Sequence, residues 1–264
     1  MTALRWLAPV ALLAAAAAAY YLWPSKPPAS TPPVAARTAP EKTPAPGVPA
    51  IRHPLDTAGA APATTPLPSL DQSDASLWKG LAELLGTKTL AELLKPEQIL
   101  RRIVATVDNL PREVAAPRVM PLTPTPGAFV ITGKGDEAVI GPGNPVRYAS
   151  RIRVLQSIDA RRLVDLYLYF YPLFQQAYVE LGYPDRYFND RLIEALDDLL
   201  AAPDIMTPVR LVQPKVLYLY ADPALEARSA GQKMMIRIGV ANEGLVKAKL
   251  REIRREILGR APKS

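Results

Sequence analysis

Cysteine is absent from this 264-residue chain, and histidine occurs once, at position 53. Without cysteine there are no disulfides, no thiolate nucleophile and no site for lipoprotein acylation. The lone His53 lies in a proline-rich tract, so a Ser-His-Asp triad and a histidine-based zinc site both lack their central residue. No cofactor and no metal are expected. A surplus of charge of one sign is also missing where it would matter. The formal charge of +7 resides at the ends: the first 68 residues carry +3 and residues 245–264 carry +5, while residues 69–244 carry −1. Binding along a nucleic-acid backbone needs a basic face on the fold itself, so no nucleic-acid partner is expected.

Three compositional zones follow one another. Residues 1–23 hold an uncharged run of eighteen, from Trp6 to Trp23, preceded by Arg5. That is just long enough to cross a bilayer, and the preceding charge favours a cytoplasmic start. Trp6 at one end and Tyr20, Tyr21 and Trp23 at the other stand where aromatic belts stand. A cleavable signal peptide is the rival reading, because the alanine run offers small-residue cleavage sites. The belt favours an uncleaved anchor, with Leu7 to Leu22 in the inner membrane and the C-terminal domain in the periplasm. Residues 24–68 contain thirteen of the 29 prolines among Ala and Thr. They read as a disordered, polyproline-like spacer reaching up to ~130 Å at ~3.1 Å per residue.

Residues 69–260 read as a single globular domain, mainly α with a small β component of one hairpin plus one or two short strands. "LPSLDQSDASLWKGLAELLG" predicts a helix capped by Asp71 or Ser73, with Leu77, Leu81, Leu84 and Leu85 on its apolar stripe and Gly86 at its end. A short helix and a longer one follow, the latter with Pro96 at its first position. "AFVITGKGDEAVI" predicts a hairpin, and Asn144-Pro145 opens another helix. From Asp159 to Leu181 the pattern is apolar nearly all round, which marks a central helix. Pro172 falls inside it, so a kink or break is expected there. A tyrosine hydroxyl, Gln175 or Gln176 is the expected donor to the freed Leu168 carbonyl. "FNDRLIEALDDLL", a short helix capped by Ser229, and a last helix from Asn242 complete the domain.

Nine of the chain's eighteen aromatic residues lie between Tyr167 and Phe188. Helical periodicity assigns most of them to the core. It leaves Tyr169, Tyr183 and Tyr187, of which the last two flank the turn "GYPDRYFND" with Arg186, Asn189 and Arg191. Tyrosine suits places where one end of a side chain is buried and the other wet. This corner is therefore the candidate binding surface: Tyr183, Arg186, Tyr187, Asn189 and Arg191.

The stretches "LPSLDQSDA", "ATVDNLPR", "YPLFQQAYVELGYP", "FNDRL" and "VQPKVLYLYADPALEARSAGQKMMIRIG" together resemble the bacterial family known as domain of unknown function 3014, over residues 68–258. The resemblance implies an envelope protein with an N-terminal hydrophobic segment and brings no catalytic residues with it.

Candidate chemistry is sparse. Ser76 and Lys79 match an S-x-x-K motif, but the S-x-N and K-T-G elements that accompany it are missing. Ser229 and Lys233 stand one turn apart without further support. Glu180, Asp185 and Asp190 lie near the aromatic cluster, as carboxylates do in glycan-cleaving sites, yet helix-end chemistry explains all three. The basic helix at the C terminus reads as an outward basic face. The expected function is a non-enzymatic periplasmic binding or scaffolding module whose partner is an envelope protein or peptidoglycan. The alternative is an acid-base enzyme on envelope glycans, using Glu180 or a nearby aspartate.

Overall fold

The computed structural model describes residues 50–56 and 66–262. The anchor expected at residues 7–22 lies outside the described residues, and so does most of the proline-rich tract. Among the described residues no helix is long and apolar enough to cross a membrane. They fall in one compact unit, mainly helical with two small antiparallel hairpins.

Helix α1 (Ser73–Leu85) ends at Gly86, whose φ of +81° suits glycine, and α2 (Thr87–Leu93) starts directly after it. Neither Asp71 nor Ser73 caps α1. Ser73 lies inside the helix and donates its hydroxyl to the Leu70 carbonyl at 2.7 Å, while Asp71 pairs with Arg101 at 2.8 Å. Helix α3 (Ile99–Asn109) begins three residues later than the Pro96 signal suggests. Its start is set from outside: the Asp74 carboxylate of α1 accepts from Gln98 N–H at 2.7 Å and Ile99 N–H at 2.8 Å. That borrowed cap holds Gln98 in the left-handed region, at φ 52°.

Strands β1 (Ile131–Thr132) and β2 (Val139–Ile140) form the expected hairpin, and Asn144 fastens it to α4 (Asn144–Ser157). The buried Asn144 amide accepts from Val130 N–H and donates to the Val130 and Gly141 carbonyls, satisfying both its ends. The stretch read as extended makes a second hairpin, β3 (Leu211–Val212) with β4 (Leu219–Tyr220). Ile140 N–H donates to the Val209 carbonyl and Leu211 N–H to the Ala138 carbonyl, which joins the two hairpins edge to edge.

Helix α5 (Ala160–Glu180) is central, as its all-round apolarity requires, and packs against α1, α3, α6 (Phe188–Leu200) and α9 (Val240–Leu258). The helix runs through Pro172 without a break; the ring faces solvent, where the lost hydrogen bond is cheapest. Asp159 caps α5 by accepting from Arg162 N–H at 2.9 Å. A short helix α7 (Pro223–Glu226) precedes α8 (Ala230–Ile238), which Ser229 caps through Gln232 N–H as expected. On α9 and just beyond it, basic side chains turn back to the domain: Lys249 donates to the Ile158 carbonyl, Arg254 to Asp197 and, past the helix end, Arg260 to Asp165.

Residues 50–56 depart from the spacer reading. Composition places them in the solvated tract, yet they lie against the domain. Leu55 packs on Val164, Leu168, Ile193, Leu196 and Ile257, and Asp56 N–H donates to the Arg260 carbonyl at 2.7 Å. A single leucine buried on this patch and a few main-chain hydrogen bonds seat the segment, a combination that composition alone does not reveal.

Candidate functional site

The corner between α5 and α6 is built from both sides. Leu181 closes α5, and Gly182 at φ 112° turns the chain back, a conformation strained for any residue with a side chain. The reversal lays Tyr183 on Tyr178, with ring centroids 4.6 Å apart and planes 23° from parallel. Gln175 then clamps the turn. Its amide nitrogen donates to the Arg186 carbonyl and its oxygen accepts from Phe188 N–H, both at 2.8 Å. Gln175 therefore serves the start of α6 rather than the carbonyl that Pro172 frees. Phe188, so placed, stacks on Phe174 at 5.5 Å and 2°.

Beneath the corner sits Asp108, in the last turn of α3, where a carboxylate is disfavoured by the helix dipole. Cations offset that cost. Arg112 donates to its Oδ2 at 2.7 Å and Arg191 to its Oδ1 at 3.1 Å, and the Tyr183 hydroxyl donates to Oδ2 at 3.3 Å. Arg191 also donates to the Asp108 carbonyl and pairs with Glu194 at 2.8 Å. Of the five expected binding residues, Tyr183 and Arg191 are thus committed to this buried hub.

Asn189 and Asp190 are committed to residues 50–56. Asp190 accepts from Arg52 N–H at 3.1 Å and His53 N–H at 2.7 Å. Asn189 donates to the His53 carbonyl at 2.8 Å and accepts from the Tyr167 hydroxyl at 3.1 Å. Neither Asp185 nor Asp190 caps α6; its N-cap, Tyr187, has no side-chain cap bond. All three bonds run to the segment's main chain at Arg52 and His53, so these contacts read backbone rather than particular side chains.

Between the segment and the corner lies a cleft of about 230 Å³, lined by residues including Ala50, Arg52, Asp185, Arg186, Tyr187 and Glu194. Arg186 is steadied 5.9 Å from the Tyr183 ring centroid. Arg186 and Tyr187 are the two expected residues whose side chains remain available to a ligand. Asp108 and Arg52 were not anticipated from sequence, and Asp185 was weighed only as a catalytic carboxylate. The misplaced charge of Asp108 in "ATVDNLPR" was a readable signal; nothing in the proline-rich tract singles out Arg52.

The catalytic candidates are disposed otherwise. Ser76 and Lys79 are exposed on α1. Ser229 donates to Asp198 at 2.6 Å while Lys233 is bound to Glu226 at 3.2 Å. The Arg101 hydrogen bond, then that from Gln176, holds the Glu180 carboxyl below its usual range. A general acid requires the opposite shift. Burial pushes Tyr171 up to about 12 and Tyr167 well above its ordinary value, so both remain neutral phenols. Among the described residues no group of three His, Cys, Asp or Glu is arranged to hold a metal.

The family model described as "Protein of unknown function (DUF3014)" matches residues 99–254, which is more than half of the chain. The match takes in the whole corner and its Asp108 hub, and leaves α1 and α2 outside. No curated protein and no solved structure matches the chain.

Proposed function

The chain belongs to the DUF3014 family of proteins of unknown function, and from that premise we propose a non-enzymatic binding module of the bacterial envelope. It is anchored through residues 7–22 and presents the α5–α6 corner to an envelope protein or to peptidoglycan. One observation carries the binding half of this reading. The corner already holds a polypeptide segment, residues 50–56, by three hydrogen bonds between its main chain and the side chains of Asn189, which donates, and Asp190, which accepts. A surface that grips a polypeptide main chain in this way, on a buried ionic foundation, is suited to recognising peptide.

The carboxylates weigh against the glycan-cleaving alternative. Both Asp190 oxygens are engaged by backbone N–H groups, Glu194 is paired with Arg191, and Glu180 is paired with Arg101. The location half rests on the uncharged run with its aromatic ends.

The test places a photo-crosslinking residue at position 187 of the full chain in living cells. One recurrent adduct is expected there and none from position 79 on α1. Random or absent adducts at 187 would sink the reading. A reporter active only in the periplasm, fused after Ser264, should be active; silence there would overturn the location alone.

A further inference from the structure

The hydrophobic core is divided. One cluster of buried side chains includes Leu77, Val107, Phe174 and Phe188, and a smaller one includes Val164 and Ile257. Leu192 of α6 packs against both. All six of those buried residues line one cavity of about 200 Å³, so the void lies where the two clusters would otherwise meet. Folded interiors are close-packed, and voids larger than a water are few. Thirteen residues from α1, α3, α5, α6 and α9 line this one, and twelve of them are Leu, Ile, Val or Phe. The thirteenth, Tyr167, presents only its ring, because its hydroxyl donates to Asn189 at 3.1 Å.

Three properties select the occupant. The lining offers no free donor or acceptor, so a peptide or a sugar would bury its polar groups unpaired, and water gains nothing there. On α5 the lining runs from Leu163 to Phe174, up to about 16 Å at ~1.5 Å per residue, so the volume is drawn out along the helix. Leu81, Leu163 and Ile253 are only half-buried, and on their side the cavity reaches the surface. At about 30 Å³ per water the cavity holds roughly seven water-sized groups, and a methylene is close to that size.

We propose that this cavity is a binding site for one hydrocarbon chain, which enters from the surface and leaves its polar end outside. It is separate from the α5–α6 corner, and neither reading depends on the other. Burial of apolar area supplies all of the recognition. Chain length therefore sets the affinity, each methylene tightening binding about fourfold until the cavity is full.

The experiment photolabels the full chain, held in lipid nanodiscs, with an octanol that carries a diazirine, and maps the adducts by mass spectrometry. Straight-chain alcohols from butanol to dodecanol compete with the label. Adducts should fall on lining residues such as Tyr167 and Phe188. Competition should strengthen about fourfold per methylene up to roughly seven carbons, and then stop strengthening. Steady competition by longer alcohols identifies the end of a lipid tail as the occupant, and a decline identifies a free short chain; both sustain the site. Leu81→Trp and Ile253→Trp, which fill the cavity from α1 and from α9, should each cut labelling several-fold, whereas Val146→Trp on exposed α4 should not. Three results each overturn the site: no adducts in the lining, labelling that survives both cavity-filling variants, or competition that keeps growing with chain length as partition into a bilayer does. The chain-length series uses the unaltered protein, so it decides even where a tryptophan variant fails to fold.

Discussion

Replacing Asp108 with alanine removes the ionic foundation of the corner. Asp108 is 6% exposed at its side chain and Arg191 is 15% exposed, so this pair is shielded from water and from salt. Arg112 is 47% exposed, and its share is worth only ~0–1 kcal/mol after solvent screening. The larger cost comes from taking away the shielded carboxylate on Arg191. Glu194 still pairs with Arg191 at 2.8 Å, so the loss falls short of the full cost of an orphaned buried ion and is about 1–3 kcal/mol. For a domain of this size each kcal/mol lowers Tm by roughly 2–4 °C, so a fall of about 2–12 °C is expected. Urea denaturation followed by far-UV circular dichroism measures the loss. A cycle with Arg191→Ala should give a coupling of about 1–3 kcal/mol. A loss below about 1 kcal/mol, or no coupling, would refute the claim that this pair holds the corner.

Two further outcomes follow from groups far from the corner. Lys247 is buried on α9, where its ammonium donates to the Ala202 carbonyl and Asp204 and stands 2.8 Å from Glu243. Lys247→Met should cost about 3–5 kcal/mol in urea denaturation, because Glu243 is then buried alone, and Glu243→Leu in the same chain should recover most of it. Burial opposes the Lys247 charge, but the carboxylates of Asp204 and Glu243, which face its ammonium, outweigh it and raise its pKa. Its stabilising share is thus complete below the unfolded lysine value of about 10.4 and is lost only as pH rises through the higher folded one. Pro172→Ala restores an N–H inside α5 and should raise stability by about 1–3 kcal/mol. A fall in Tm would show that the proline shapes the helix its neighbours pack against.

The helices were largely legible in the sequence because periodicity and end signals coincide in them. Asp159, Gly86 and Ser229 act as their positions suggest. The readings that missed share a physical origin: a partner distant in sequence outcompeted a local one. Pro96 marks a helix start by local rules, but the carboxylate of Asp74, from another helix, sets the start at Ile99. Asp190 is placed to cap α6 by local rules, and instead holds a segment some 137 residues away. Gln175 passes over the Leu168 carbonyl, two turns back, and clamps the corner. In the candidate site, aromatic spacing singled out residues 183–191, yet it could not separate residues that build the corner from those that face outward. That distinction depends on Asp108, which reaches the corner only through the packing of α3 against α6.

The most direct measurement uses the absence of native cysteine. Cysteines placed at Ala50 and Glu194, on opposite sides of the cleft, would carry the only spin labels in the full chain. Pulsed dipolar spectroscopy should return one short, narrow distance distribution, which Asp190→Ala broadens toward longer values. A broad, long distribution in the otherwise unaltered chain would contradict the docking of the tether on the corner.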